Sequence, residues 1–351
     1  MRFIHESFAQ RVSFVTNDAA AAVKTEVEAL GTSRVMVIAS DREAALATPI
    51  AAELPVVLHH EEVVMHVPVA VADRARNACA AAKADVLVCI GGGSTTGLAK
   101  AIALTNRVPI VAVPTTYAGS EATNVWGLTE AETKTTGVDN RVLPVSVVYD
   151  AALLASLPGD MTVASGLNAL AHCVDAMWGP RVDPIDQALA QEAIRGLASG
   201  LPVVKVEPTS IEGIEQTLYG AYLAAAAFAS AGSGMHHKIC HVLGGMFNLP
   251  HAQTHAVVLP YVLAFNAPHA PEAQRRIAAG FGARSATAGL RELCEVLEAP
   301  QALRDCGMPE EGIAKAIEPL LAVIPSSNPV TVTEDNLTAL LRAAWEGAPI
   351  E

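Results

Sequence analysis

Short runs of consecutive apolar residues alternate, through the N-terminal part of the chain, with longer stretches whose apolar positions recur at helical spacing. The runs Arg34–Ala39, Val56–His59, Val86–Ile90, Ile110–Val113 and Val145–Tyr149 are rich in valine and isoleucine and bounded by turn residues, the pattern of strands buried on both faces. The stretches Ala20–Leu30, Arg42–Ala52 and Val71–Ala82 carry helical patterns long enough to serve as crossovers between parallel strands. Together they predict a doubly wound α/β domain over residues 1–157. After Pro158 the strand-like runs vanish, and alanine- and leucine-rich helical patterns continue to the end of the chain. Breaks are expected around Pro180–Pro184, Pro202–Pro208, Pro250, Pro260, Pro268–Pro271 and Pro325–Pro329, so residues 158–351 read as a second, all-helical domain. No repeat of fixed period and no low-complexity tail interrupts either part.

Composition narrows the class. A hydrophobic content of 51% against 17% charged residues excludes a disordered chain, and 351 residues are enough for two domains. The cysteines at 79, 89, 173, 240, 294 and 306 form no C-x-x-C pair, and several lie in apolar stretches, as reduced buried thiols do; a cytoplasmic protein is expected. The opening MRFIHESFAQRVSF has no positive start followed by an apolar run, so no signal peptide is expected. The most apolar long segment, Tyr219–Ala231, is too short to span a bilayer. A net charge of -13 with no basic stripe argues against nucleic acid and membrane surfaces as partners. An anionic small molecule would need a locally electropositive site.

The segment HHKICHVLGGMFNLPHAQTH, from His236 to His255, offers one. Five of the chain's 11 histidines and Lys238 fall within it, a density that points to metal binding, proton transfer or anion binding. His237 and His241 share a face if the segment is helical. Val242-Leu243-Gly244-Gly245 reads as a helix end and Pro250 as a turn that swings His251 back toward His237. Upstream, Asn168 and His172 stand at the same i, i+4 spacing. Asn168, His172, His237 and His251 would make a four-ligand set of the kind that iron or zinc favours, but the amide of Asn168 offsets none of a cation's charge. The pattern reads as a metal-site geometry without its metal.

A second constellation follows the Val86–Ile90 run: Gly91-Gly92-Gly93-Ser94-Thr95-Thr96-Gly97, with a helix expected from about Leu98. Successive glycines let backbone N–H groups approach a phosphate, and the helix start adds partial positive charge. The next strand ends in Pro114-Thr115-Thr116-Tyr117-Ala118-Gly119-Ser120-Glu121, a hydroxyl-rich loop at the same sheet edge. Gly91, Gly92, Gly93, Ser94, Thr115, Thr116 and Ser120 are therefore the expected cofactor-binding residues for a dinucleotide. Asp41 would suit a ribose and Arg42 a phosphate, which leaves NADH and NADPH both open.

These motifs, with Lys134-Thr135-Thr136-Gly137, Arg141-Val142-Leu143-Pro144 and Gly166-Leu167-Asn168-Ala169-Leu170-Ala171-His172, resemble those of the iron-containing (group III) alcohol dehydrogenases, and within that family its maleylacetate-reducing members. The resemblance covers nearly the whole chain. It implies a dehydroquinate synthase-like architecture, a homodimer, and a metal site of one aspartate and three histidines that maps onto Asn168, His172, His237 and His251. Two departures, Asn168 for that aspartate and Gly97 where metal-dependent members carry aspartate, are shared by the maleylacetate-reducing branch, which is taken to work without metal.

The resemblance further implies reduction of maleylacetate to 3-oxoadipate by NADH or NADPH, in aromatic-compound catabolism. Within it His241 is the expected general acid, His172 and His237 are polar donors around the substrate, and Lys238 with His251 or His255 pairs with its carboxylates. Rival readings are a metal-dependent alcohol or aldehyde dehydrogenase of the same family, a dehydroquinate synthase-like lyase, and a catalytically silent nucleotide sensor.

Overall fold

The structure, a computed structural model, describes residues 2–130 and 133–350, with the backbone alone at Thr133 and Lys134. Contacts divide the chain into two compact units: Phe8–Leu157, and a unit running from Pro158 to the C-terminal end that also takes in the residues before Phe8.

In the first unit the order is β1 (Arg11–Val15), α1 (Ala19–Ala29), β2 (Val35–Ile38), α2 (Ala44–Ala52), β3 (Val56–His60), α3 (Val69–Ala82), β4 (Val86–Gly91), α4 (Gly93–Asn106), β5 (Ile110–Pro114), β6 (Val125–Glu130), β7 (Thr133–Val138), β8 (Ser146–Asp150) and α5 (Ala151–Leu154). Six strands pair in parallel in the order β1-β8-β5-β4-β2-β3. β2, β4, β5 and β8 are buried at every residue, which is why their sequences carry no polar alternation. Val23, Val27 and Ile50 from α1 and α2 pack on Val35, Val37, Val88, Ile90, Val111 and Val113 to form one core layer.

The chain moves outward from β2 to β3 and then returns to place β4 on the other side of β2. That reversal is a topological switch point, and in open parallel sheets ligands bind beyond the carboxyl ends of the strands flanking it. At the end of β8 the Asp150 carboxylate accepts the N–H groups of Asn17, Asp18 and Ala19, each at 2.9 Å, and so ties β1 and the start of α1 to the sheet.

Three sequence expectations change here. β1 joins the sheet edge although RVSFV is too short and polar to stand out, and β6 and β7 form a separate antiparallel hairpin from largely polar sequence. α4 begins at Gly93, not near Leu98, so the glycines are themselves the helix start.

The second unit contains α6 (Gly159–Ala176), α7 (Pro184–Val206), α8 (Ile211–Ala231), α9 (Met235–Phe247), α10 (His251–Asn266), α11 (Pro271–Phe281), α12 (Ala286–Leu297), α13 (Gly312–Val323) and α14 (Glu334–Glu346). From Thr162 to Ala176 every residue of α6 is buried, which makes it the central helix. A cluster built from Met235, Ile239 and Leu243 of α9, Val258 and Val262 of α10, Ile313 and Leu320 of α13, and Leu337 and Leu341 of α14 fixes α9 and α10. Pro202 and Pro260 lie inside α7 and α10 and do not break them. α9 likewise runs on past Gly244 and Gly245 to Phe247, with Asn248 in the left-handed conformation that ends it. The first residues are held by His5, whose Nδ1 lies 2.8 Å from Oδ2 of Asp183, the residue that caps α7.

α7 and α8 pack almost backbone to backbone. A Cβ at Gly220 would lie 2.8 Å from the Leu197 nitrogen and 2.9 Å from the Ala193 carbonyl oxygen, so the helices would have to separate. Gly220→Ala is expected to cost about 1–3 kcal/mol as overpacking. Gly244→Ala, with nothing within 4 Å of the new Cβ, should be neutral or stabilise by about 0.5–1 kcal/mol. Urea midpoints of the two variants check this; equal midpoints would contradict it.

Candidate active site

In the helical unit the site is organised by a residue that the sequence reading passed over. Asp175, seven residues after Asn168 and three after His172, extends their polar face of α6 by one more turn and has no exposed surface. Its carboxylate lies at the start of α9, where Oδ2 accepts the N–H groups of Gly234 and His237 at 3.1 Å and Oδ1 accepts that of His236 at 3.2 Å. Helix starts leave such N–H groups unpaired and favour negative charge, so a side chain of α6 caps α9. A Cβ at position 234 would meet the Asp175 carboxylate at 2.5 Å, which restricts that position to glycine.

The same Oδ2 lies 2.7 Å from Nδ1 of His237. Because a carboxylate only accepts, Nδ1 of His237 carries a proton and Nε2 is the ring nitrogen turned away from Asp175. The His237 ring stacks on His172, with centroids 4.7 Å apart and planes at 11°, and Phe228 of α8 packs against both. On the other side His255 of α10 stands 4.7 Å from the His237 ring, and Nδ1 of His255 shares a hydrogen bond of 2.9 Å with Nε2 of His236.

His172, His236, His237 and His255 are all buried. Burial drives the pKa values of His172 and His255 well below the ordinary imidazole value, and neighbouring imidazoles push the same way. His236 is lowered to about 3, by burial first and His237 second. Asp175 is raised by burial, against the opposing pull of His236 and the three N–H groups. His172, His236 and His255 are thus held as neutral imidazoles near one carboxyl group.

His241 and His251 are half-buried, with rings 6.1 Å apart, and His251 lies 4.4 Å from the His255 ring. Lys238 is half-buried and follows His237 by one residue, so it lies on a different line of α9. Asn168 is buried, one turn before His172. The structure brings His172, His237, His241, His251 and His255 into a chain of ring contacts. The three residues whose ligating atoms all come within 4.8 Å are, among the described residues of this cluster, His236, His237 and His255, and not His172, His237 and His251.

In the α/β unit the expected cofactor residues meet at the carboxyl ends of the adjacent strands β4 and β5. Gly91 closes β4 with φ 154°, and a Cβ there would strike Thr95 Oγ1 at 2.3 Å. The Gly91 carbonyl accepts the Thr115 N–H at 3.2 Å, and the position a Gly92 Cβ would take lies 3.0 Å from Thr116 Cγ2. Gly93 and Ser94 form the first turn of α4, which has no side-chain cap, so its N–H groups are available to an anion. Ser120 opens the short turn after Gly119, and its carbonyl accepts from Lys100.

Two family descriptions together match most of the chain. Residues 10–151 match "Iron-containing alcohol dehydrogenase", and residues 162–345 match "Fe-containing alcohol dehydrogenase family, C-terminal". The chain belongs to the iron-containing alcohol dehydrogenase family. Within this family, it is 44% identical over 351 residues, 99% of each chain, to a maleylacetate reductase of Sphingobium indicum. Among solved structures, an iron-containing alcohol dehydrogenase from Corynebacterium glutamicum is 58% identical, with a TM-score of 0.96 over 98% of this chain and 97% of that one. A maleylacetate reductase from Agrobacterium tumefaciens is 37% identical, with a TM-score of 0.93 over 99% of each. The resemblance drawn from the glycine loop and the histidine segment is borne out, and family membership makes the protein an oxidoreductase.

The neutral imidazoles have a measurable consequence. Above pH 6.5 these histidines are uncharged whether the chain is folded or not; below it the unfolded chain takes up protons that folded His172, His236 and His255 refuse. Stability must then fall with falling pH, by about 1.4 kcal/mol per histidine per pH unit. Asp175, raised by burial, acts in the opposite sense but is one group against three. Calorimetry should show a lower Tm at pH 5.0 than at pH 7.5, and a Tm that holds or rises would contradict the neutral cluster.

Proposed function

We propose that this protein reduces the conjugated double bond of maleylacetate to give 3-oxoadipate, with NADH or NADPH as reductant, in the catabolism of aromatic compounds. One observation carries the substrate assignment: the 44% identity over 99% of both chains to the maleylacetate reductase of Sphingobium indicum. The dinucleotide is assigned to the glycine turn and the Thr115–Ser120 loop of the α/β unit, and catalysis to the histidine cluster of the helical unit. A homodimer is part of the reading, as the sequence resemblance implies, and so is a reducing cytoplasm, which six unpaired cysteines favour.

A bound reduced nicotinamide supplies hydride to the alkene carbon β to the ketone, which places negative charge on the ketone oxygen as an enolate. This chain's residues must then bind two carboxylates, stabilise that oxygen and deliver a proton to the neighbouring carbon. His241 is the proposed proton donor, because it is half-buried and within the ring contacts of His237 and His251. His251 opens α10, whose first turn has no side-chain cap; its ring and the N–H groups there suit one carboxylate, and Lys238 suits the other. His255 is buried between His236, which it meets through Nδ1, and His251, and its proposed part is to orient them. Asp175 holds Nδ1 of His237, so His237 meets the substrate or its neighbours through Nε2.

The donor set does not fit the iron that the family name implies. Asn168 brings no negative charge, Nε2 of His236 and Nδ1 of His255 are bonded to each other, and the nearby carboxylate is already committed to three N–H groups and Nδ1 of His237. A dication there would be poorly compensated in a buried setting. We therefore route no step through a metal, and propose that the enzyme works without one.

Oxidation of NADH in the presence of maleylacetate tests the reading, and the rate should be unchanged after dialysis against a strong chelator. His241→Ala should lower kcat by about 10²–10⁴-fold, while the Kd for NADH moves by less than about twofold. Loss of activity on chelation would instead favour a metal-dependent alcohol dehydrogenase, and an unimpaired His241→Ala would remove the proton-donor role.

A further inference from the structure

Lys100 is the one charged side chain of α4, and it is wholly buried. Its Nζ donates to the carbonyl oxygens of Ser120 at 2.6 Å, Thr123 at 2.8 Å and Val125 at 2.8 Å, and to Thr123 Oγ1 at 3.0 Å. An ammonium has three hydrogens, so four acceptors saturate it. Burial pulls its pKa down to about 7, while the Glu121 carboxylate and the Cys89 thiol pull it back up. Glu121 is itself buried and accepts a hydrogen bond of 2.8 Å from the Tyr149 hydroxyl.

What the lysine grips is one wall of the nucleotide edge. Pro114 ends β5, Gly119 turns the chain at φ 75°, and the short helical turn Ser120–Ala122 leads on to β6. The helix that carries Lys100 begins at the other wall, the glycine turn after β4. On a helix the Cα–Cβ bond leans toward the N-terminus, so this side chain reaches back in the direction of the glycines. A single buried cation therefore ties the far end of the Thr115–Ser120 loop to the helix whose first N–H groups face the phosphate position. That loop is made of small and polar residues, and Tyr117 is its one large apolar anchor.

We propose that Lys100 is a positioning residue for the dinucleotide: it touches no part of the cofactor, but holds the Thr115–Ser120 loop at the spacing from the glycine turn that cofactor binding requires. The inference rests on the assignment of the dinucleotide to this edge. Lys100→Met keeps the length and loses the donors. It is expected to raise both the Kd for NADH, read by fluorescence titration, and the KM for NADH by about tenfold or more. At saturating NADH, kcat should stay within about threefold and the KM for maleylacetate within about twofold.

A purely structural role would lower Tm and the active fraction while leaving Kd in place. Thr123→Val, which removes the hydroxyl acceptor and keeps the three carbonyls, should raise Kd by about threefold. A folded Lys100→Met with wild-type Kd overturns the proposal; if that variant does not fold, an unchanged Kd in Thr123→Val does so. Wild-type protein that shows no saturable NADH binding overturns the nucleotide assignment itself, and the proposal with it.

Discussion

The helical unit depends on where one buried carboxylate can be satisfied. Taking an ionised carboxyl out of water costs several kcal/mol unless its lone pairs are filled. Asp175 fills them with three N–H groups at the start of α9 and with Nδ1 of His237. The requirement fixes the position of α9 along α6, because no other register brings those N–H groups to the carboxylate. It makes glycine obligatory at 234, where the carboxylate passes, and it sets the tautomer of His237. Since His236, His237 and His241 follow on the same helix, the angular placement of the whole cluster descends from this contact.

The α/β unit uses the same device twice. Asp150 accepts three consecutive N–H groups at the start of α1, and Lys100 donates to three carbonyls at the end of the Thr115–Ser120 loop. In each case a buried charge is matched by backbone dipoles of one sign and holds a connecting segment that has little apolar surface of its own. A chain so rich in alanine has small side chains to pack at its loops, and buried charges that read the backbone replace the missing bulk. These contacts are directional in a way that apolar packing is not, which suits the edges where ligands bind.

What could be read from the sequence follows the range of the interactions involved. The buried strands β2, β4, β5 and β8 announce themselves as unbroken apolar runs, and the glycine turn and histidine segment are local chemical signals. β1 was illegible because it is short and its pairing partner lies far along the chain, and the β6–β7 hairpin because its residues are largely polar. Gly244 and Gly245 mimicked a helix stop, but the left-handed residue that ends α9 is Asn248. Asp175 carried a usable sign, its i+3 and i+7 spacing from His172 and Asn168, yet the partner that gives it meaning stands 62 residues away. Lys100 was visible only as part of a helix start, since its acceptors are carbonyls and have no sequence signature.

The charge of the histidine cluster bears on which chemistry it can support. A carboxylate in such a pocket would help to balance a dication, whereas a dicarboxylate substrate that gains a further negative charge as an enolate is favoured by its absence. An amide at position 168 removes one negative charge that an aspartate would bring, and the remaining carboxyl group of Asp175 is turned toward the backbone of α9 and Nδ1 of His237. Along α9 and α10 the groups that remain are imidazoles and one lysine, all able to donate a proton or a hydrogen bond and none bearing negative charge. In a protein of net charge -13, an anion can be held only where the local groups reverse the global field. An amide at position 168 therefore weakens the site for a cation and suits it to an anion.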